Sequence, residues 1–310
     1  MSGASRTEPA AAGGGRVDAD PVPRSPQPPS SAARMVAGIS KAPVHVALGI
    51  VGLVWLLPTI GLLVTSIRPR SDIQVTGWWE SLLTFRFTFE NYDQVLNAQG
   101  MAQAFINSIV IAVPSTLLPL TIASLAAYAL AWLAIPGRDT IFLIIVACML
   151  VPVQVAFIPT LQLFAPTGIT RGFLAIWIMH TAFALPFGIF LLRNFFVQLP
   201  RDLLEAARMD GAGSLTIFRT VVVPLSVPGI AAYGIFQFLW VWNDLLMALV
   251  FVQQRSNDPM TRQVTNMLGQ YGSEWHLLAA GAFVIMGVPL LVFFALQRYF
   301  VQGILAGSVK

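Results

Sequence analysis

The sequence predicts an all-α integral membrane protein, a bundle of six transmembrane helices with a polar cytoplasmic loop between the fourth and fifth spans. The mean hydropathy is +0.73, and only 10% of the 310 residues are charged. A water-soluble domain carries about 25% charged residues. The apolar residues also form long blocks, without the periodicity of an amphipathic helix or strand. Most of the chain is therefore expected to lie within a lipid bilayer.

The first 43 residues differ in composition from the rest. They are rich in Ala, Gly, Pro and Ser, as in PVPRSPQPPSSAA. Such a segment buries too little apolar surface to fold, so residues 1–43 are predicted to be a disordered cytoplasmic tail. No apolar core follows the early charges, so a signal peptide is not expected. Residues 44–310 are then the transmembrane domain.

Six apolar runs follow, and each exceeds the ~20 residues that a helix needs to cross a bilayer. Prolines fall inside several of them, which membrane helices tolerate because neighbours satisfy the freed carbonyl groups. The single cysteine, Cys148, lies in the third run, so no internal disulfide can form. The predicted spans lie near residues 44–67, 105–133, 140–164, 173–196, 227–252 and 278–299.

The distribution of Arg and Lys predicts the orientation. Six spans place both termini on one side, and the termini with the even-numbered loops hold 12 of the 18 basic residues. Cytoplasmic loops carry the excess of Arg and Lys, so both termini are predicted to be cytoplasmic in a bacterial plasma membrane. No basic run interleaves with aromatic residues, so nucleic-acid binding is not expected.

The longest internal cytoplasmic loop, residues 197–226, predicts a hairpin of two short helices. Pro200 suits a first turn, Gly211 suits a helix end, and Ser214 can cap a second helix that Pro224 helps to stop. One face of the first helix carries charges able to pair, Arg201, Glu205 and Arg208. The residues alone leave an ordinary polar loop as an equal alternative.

This loop resembles the EAA loop of binding-protein-dependent ABC importer permeases. That pattern is EAA, three residues, Gly, nine residues, then Ile-x-Leu-Pro, and the spacing holds here with Val at both aliphatic positions. The fuller form EAARMDGA, with FTFENYDQVL, FALPFGIFLLRNFF and WNDLLMALVF elsewhere, is similar to the carbohydrate-type, MalG-like subunits. The matching residues are Glu205, Ala206, Ala207, Gly211, Val221, Val223 and Pro224.

The resemblance implies a function and partners. The EAA helix of this family docks in a cleft of a cytoplasmic ATPase and couples nucleotide-driven closure to the spans. Ala206, Ala207 and Gly211 would form a compact knob there, with Glu205 and Asp210 meeting polar groups of the ATPase. The implied partners are a second, MalF-like permease subunit, an ATPase dimer, an extracytoplasmic solute-binding protein and a sugar. The outer loop 253–277 matches in position the loop that probes the binding protein.

The chain lacks the motifs of an enzyme. A P-loop needs a lysine after glycine, and neither Lys41 nor Lys310 follows one. The three histidines, His45, His180 and His276, are scattered, so no metal or catalytic site is expected, and His180 is expected to hydrogen-bond within the bundle. ATP and Mg²⁺ would therefore be bound by the partner ATPase, with no cofactor in this chain.

The fifth span holds the clearest candidates for the solute path. Asp244 is the one ionisable residue well inside a span, beside Asn243 and one turn beyond Trp240. Carboxylate and amide groups beside an aromatic face suit a sugar, which offers hydroxyls and apolar ring faces. Gln154 is a weaker candidate of the same kind. The other interpretation is that Asn243 and Asp244 only hold helices together.

Other transport classes remain as alternatives. An ABC permease for a non-sugar solute fits the same motifs. An ion-coupled secondary transporter is expected to show inverted repeats and several buried ionisable groups, and this sequence shows neither. An intramembrane enzyme lacks a catalytic constellation.

Overall fold

The computed structural model describes the backbone of residues 31–270 and 274–308, and the side chains of residues 43–268 and 274–297. Residues 1–30 of the predicted tail lie outside the described residues. The chain divides into two compact units, Met1–Leu57 and Pro58–Lys310. The first unit contains the beginning of the first long helix, and the second contains everything that follows. Every regular element within the described ranges is helical.

Eight helices form the first part of the described chain, with a π-helical turn at Gln94–Ala98 and 3₁₀ turns at Ala165–Thr167 and Ile169–Arg171. They are α1 (Ser31–Ser66), α2 (Arg70–Ile73), α3 (Trp78–Thr84), α4 (Glu90–Asp93), α5 (Met101–Trp132), α6 (Arg138–Cys148), α7 (Val153–Phe164) and α8 (Leu174–Val197).

Seven helices form the second part, with a π-helical turn at Phe218–Val222 and a 3₁₀ turn at Arg255–Asn257. They are α9 (Arg201–Met209), α10 (Ser214–Ile217), α11 (Val223–Leu225), α12 (Val227–Trp242), α13 (Leu246–Phe251), α14 (Met260–Gln270) and α15 (Trp275–Ser308).

The helical membrane fold is confirmed. Four described helices are long and apolar enough to cross a bilayer, and the number reaches six when each of two bent helix pairs counts as one span. The second and fourth predicted spans, 105–133 and 173–196, match α5 and α8 within a few residues. The sixth, 278–299, is part of the longer helix α15.

Helix α1 begins earlier than predicted. It starts at Ser31, so the described part of the predicted tail, residues 31–43, is helical rather than disordered. The proline cluster ends at Pro29, and the following residues, SAARMVAGISKA, are mostly good helix formers. The composition of residues 1–43 as a whole concealed this change in local propensity.

The third and fifth spans are broken, contrary to the prediction of continuous helices. Helix α6 and the segment that begins with α7 meet at an angle of 94°. Pro152 stands at the break, where it lacks the N–H that a continuous helix requires. The fifth span enters through α10 and α11, bends by 80° into α12, and breaks again between Trp242 and Leu246.

Helices α5, α8, α12 and α15 form the centre of the second unit, and α5 packs mainly on α8. The approach of α8 and α12 is very close at Gly188, where a Cβ atom would lie 2.4 Å from the Tyr233 ring. The Tyr233 hydroxyl donates a hydrogen bond to the Ala184 carbonyl at 2.9 Å. Small residues at such crossings let membrane helices pack closely.

Candidate functional site

The predicted hairpin forms an elbow, which comprises residues 200–225. Its first helix, α9, ends as predicted at Gly211, which has φ +80°. The Gly211 N–H donates to the Arg208 carbonyl, and the Ala212 N–H donates to the Ala207 carbonyl, both at 3.0 Å. This pair of bonds is a Schellman motif, which satisfies carbonyl groups that a helix end would leave unpaired. The bend is therefore fixed by backbone geometry that favours glycine.

The tip of the elbow is exposed and partly apolar. Glu205, Ala206, Asp210 and Gly211 are exposed, and Ala207 is half-buried. Among the large apolar residues of the elbow, Met209 is the most exposed, at 88%. Sequence reasoning missed Met209, although a large apolar residue between charged neighbours was a visible signal. Pro224, at the far end of the elbow, is also exposed.

The opposite face of the elbow is built into the helix bundle. Its buried residues define the elbow cluster: Leu204, Ile217, Phe218 and Val222 pack with Tyr128, Leu192, Phe196 and Tyr233. The Phe218 and Tyr128 rings lie 5.3 Å apart. These partners belong to α5, α8 and α12, so the elbow is packed directly against three spans.

Polar contacts tie the elbow to the ends of the same spans. Arg208 Nη2 donates to the Trp132 carbonyl at 3.1 Å, and Trp132 Nε1 donates to the Phe196 carbonyl at 2.9 Å. The last carbonyls of α5 and α8 thereby gain donors, and the guanidinium lies at the negative end of a helix. The predicted pairing of Glu205 with its neighbouring arginines is not among the described ion pairs.

The second half of the elbow differs from the prediction. Gly213 occupies the N-cap position of α10, and Ser214 is already helical and makes no side-chain capping bond. The predicted single helix becomes α10, the π-helical turn Phe218–Val222 and α11. Pro224 lies within α11, and the bend into α12 follows at Ser226.

At the break in the fifth span, the two adjacent candidates for the solute path, Asn243 and Asp244, have different surroundings. The Asp244 Oδ2 atom accepts the backbone N–H groups of Met247 at 3.0 Å and Ala248 at 3.3 Å. It therefore caps the N-terminus of α13. The Asn243 amide is exposed and donates to the Leu239 carbonyl of its own helix at 2.7 Å. Asp244 points into the protein, and Asn243 remains at the surface.

His180 faces the Asp244 carboxylate from α8. It is 1% exposed, and its Nε2 atom lies 3.8 Å from Asp244 Oδ2. Neither ring nitrogen makes a hydrogen bond, so the expected bond within the bundle is not formed. A cavity of about 10 Å³ adjoins both side chains and Ser108. Only about one water molecule fits such a volume, which excludes this cavity as a solute site.

Trp240 lines a larger groove between the broken third span, α8 and α12. The groove has a volume of about 320 Å³. Gln154, exposed on α7, is not among the residues that line it. Trp242 points away and donates its indole N–H to the Ile285 carbonyl at 3.1 Å. The lining residues are Cys148, Met149, Val151, Val153, Phe183, Pro186, Phe187, Phe236 and Trp240.

The loop 253–277, which is predicted to lie outside, is anchored to α5 by two polar residues that sequence reasoning missed. Asn107 Nδ2 donates to the carbonyls of Ser256 at 2.8 Å and Asp258 at 3.0 Å. Ser108 Oγ accepts the Met260 N–H at 2.9 Å. An Asn-Ser pair inside an apolar span was the available signal.

Asp258, in the same loop, has a carboxyl group whose acidity the fold changes. Burial raises the pKa of its carboxyl group, while the charge of Arg262 and a hydrogen bond from Asn266 act in the opposite direction. The Arg262 Nη1 atom lies 3.1 Å from Asp258 Oδ1. Among the described residues, no group of three His, Cys, Asp or Glu side chains could hold a metal ion.

Comparison with known proteins identifies the family. Residues 105–306 match the family described as binding-protein-dependent transport system inner membrane component. The chain belongs to this family. The EAA resemblance is thereby confirmed, and the protein is a membrane-embedded subunit of a transport system.

Two relatives and one solved structure are similar to this family member. The osmoprotective compounds uptake permease protein GgtD of Synechocystis sp. is 50% identical over 275 residues, 87% of this chain and 92% of that protein. The alpha-glucoside transport system permease protein AglG of Rhizobium meliloti is 48% identical over 231 residues, 73% of this chain and 61% of that protein.

The solved structure is that of a bacterial ABC transporter involved in the import of the acidic polysaccharide alginate. The match has a TM-score of 0.71 at 24% identity and covers 88% of this chain and all of the matched chain. At this level of identity the match establishes the fold alone.

Proposed function

We propose that this family member is one permease subunit of an ATP-driven importer for a sugar or oligosaccharide. The observation that carries the proposal is the elbow, whose tip is exposed at Met209 and whose other face is buried among α5, α8 and α12. A rigid element with one free face and one face packed on the spans can transmit motion between a cytoplasmic partner and the membrane.

The proposed complex contains a second permease subunit, an ATPase dimer and an extracytoplasmic solute-binding protein. The last agrees with the family description. ATP and Mg²⁺ would be bound by the ATPase, because this chain has no P-loop. Both termini would lie in the cytoplasm, which puts the elbow on the same side as the ATPase. The proposed docking tip contains Glu205, Ala206, Ala207, Asp210 and Gly211, and Pro224 belongs to the same proposed docking loop.

Closure of the ATPase dimer would displace the tip of the elbow. The elbow cluster and the Arg208 and Trp132 hydrogen bonds would carry that displacement into α5 and α8. Packed interfaces respond by switching between discrete arrangements because dense cores deform little. The groove beside Trp240 lies between α8 and α12, so its shape would change with the same motion.

A sugar as solute is supported by the relatives and by the groove. AglG is named for α-glucoside transport. Trp240, Phe236 and Phe183 offer aromatic faces on which apolar sugar faces pack. Asn243, an exposed residue three positions after Trp240 in the chain, is proposed to add an amide contact. Gln154 is proposed as a weaker contact from α7. We propose that Asp244 contributes indirectly, by holding the break that presents Asn243.

A non-sugar osmoprotective compound is the second candidate. GgtD, a relative at 50% identity, is named for the uptake of osmoprotective compounds. Such solutes are small and polar and would use the same groove. The two candidates share the fold, the elbow and the ATP-driven mechanism, and they differ only in the solute.

Uptake by purified complexes tests the proposal. The affinity-tagged chain should co-purify with a second permease and an ATPase, and the complex should be placed in liposomes with the binding protein outside. We expect uptake of labelled oligosaccharides only when ATP is enclosed. Uptake of betaine or polyols instead would favour the second candidate. Uptake driven by an ion gradient without ATP would contradict the proposed function.

A further inference from the structure

We propose that Arg262 and Thr261 of helix α14 are positioning residues that couple the outer loop to the broken part of the fifth span. This inference rests on the proposed function, since it concerns the response of the permease to its binding protein. The coupled element is α13, a helix of six residues that begins at the break beside Asn243 and Asp244.

Helix α13 is held at both ends by charged side chains. A helix this short is not stable by itself, since nucleation costs more than its few hydrogen bonds return. Asp244 caps its N-terminus through the Met247 and Ala248 N–H groups. Arg262 donates to the carbonyls of Val252 and Ala248 at its other end. An anion at the N-terminus and a cation at the C-terminus both interact favourably with the helix dipole and stabilise the helix.

The contacts at the C-terminal end of α13 come from another helix of the chain. Arg262 lies on α14, and so does Thr261, whose hydroxyl donates to the Asp244 carbonyl at 2.8 Å. Thr261 and Arg262 thus form hydrogen bonds near the N-terminal and C-terminal ends of α13, respectively. The Arg262 side chain is 19% exposed and that of Asp258, its ion-pair partner, is 5% exposed. Exclusion of water strengthens such charge-assisted contacts.

The N-terminal end of helix α14 is hydrogen-bonded to α5. Its first residue, Met260, is bonded to Ser108 of α5, and the preceding turn is bonded to Asn107. Farther along α14, Thr265 and Asn266 are exposed. A binding protein that displaces α14 would therefore turn it about α5 and move α13 with it.

The movement would reach the groove and the polar residues beside it. Met247, Ala248 and Phe251 of α13 are buried among side chains of α7 and α8. Asn243 lies three residues and Trp240 six residues before the start of α13 in the chain. Docking of the loaded binding protein would thus change the solute path through α14 and α13, without any requirement that Arg262 touch the binding protein or the solute.

The variant Arg262→Met tests this role, because it keeps the length of the side chain and removes its donors. We expect normal assembly, normal basal ATP hydrolysis and unchanged affinity for the binding protein. Hydrolysis stimulated by the binding protein should fall about tenfold, as expected for loss of a charge-assisted hydrogen bond. Arg255→Met is the matched control, since Arg255 is exposed in the same loop, and it should behave as wild type.

Thr261 gives an independent second measurement. Thr261→Val removes the hydroxyl and should weaken stimulation, whereas Thr261→Ser retains it and should restore the response. Full stimulation in both Arg262→Met and Thr261→Val would overturn the inference, and so would loss of assembly in both. Reduced binding-protein affinity with a normal maximal rate would also overturn it, by assigning the loop a direct contact. An unstimulated wild-type complex would contradict the proposed function itself.

Discussion

At the scale of residues, Gly211 and Asp244 have roles that the chemistry of their side chains alone does not reveal. Gly211 matters for its backbone, because it closes the Schellman motif at φ +80°. Asp244 matters as a helix cap, because its carboxylate serves N–H groups that the break in the fifth span leaves free. The Asp244 carboxylate, which the sequence suggests as a solute contact, forms hydrogen bonds with the backbone in the structure.

Gly211→Val should disable coupling without disturbing the membrane domain. A Cβ atom at Gly211 meets nothing within 4 Å, so the cost is backbone strain of roughly 1–3 kcal/mol at the tip of the elbow. We expect normal membrane levels with loss of ATPase subunits or of stimulated hydrolysis, measured on the purified complex. Gly213→Val is the control, because Gly213 has φ −70° and equally open surroundings. Equal behaviour of the two variants would refute the account of Gly211.

Asp244→Asn should be tolerated, because asparagine caps helices as well as aspartate does. We expect near-normal uptake from Asp244→Asn, and a loss of about 1 kcal/mol of stability from Asp244→Ala. Thermal unfolding of the purified complex and an uptake assay measure the two effects. Loss of uptake by a fully stable Asp244→Asn complex would instead assign the charge a direct part in transport.

At the scale of elements, the sequence predicts the spans whose apolar runs are uninterrupted, and it fails where a break is local. Helices α5 and α8 agree with their predicted bounds. The run around Pro152 stays largely apolar through its break, so hydropathy alone cannot detect that break. The break in the fifth span does carry polar residues, Asn243 and Asp244, but their sequence fits a solute contact or a bond between helices as well as it fits a helix cap. The elbow was predictable because its bend depends on a glycine at a fixed spacing, whereas its anchoring by Trp132 and Arg208 depends on tertiary contacts.

Close packing of α8 against α12 should make Gly188 intolerant of substitution. In Gly188→Ala the new methyl group would lie against the Tyr233 ring, at a distance that forces the helices apart. Overpacking of this kind costs about 1–3 kcal/mol, so the melting temperature of the complex should fall. Gly287→Ala, in an open position of α15, should leave it unchanged or higher. Equal melting temperatures for the two variants would mean that α8 and α12 can separate freely.

At the scale of the whole molecule, the account requires the elbow and the outer loop to lie on opposite sides of the membrane. Cysteines at Ser214 and Ser256, both exposed, report on the two sides. Cys148 is itself exposed and must first be replaced by serine. In intact cells we expect an impermeant thiol reagent to label position 256 and to spare position 214. Labelling of position 214 from outside would reverse the topology.

The central claim is that the tip of the elbow docks on a separate ATPase, and a cross-link from Met209 tests it most directly. Met209 is 88% exposed at the tip, and Leu163 of α7, at 70% exposure, is the control. With a photo-reactive amino acid at position 209, mass spectrometry should identify a cross-linked ATPase subunit, which position 163 should not capture. Efficient cross-linking at position 209 to lipid or to other proteins, with the ATPase never captured, would contradict the claim.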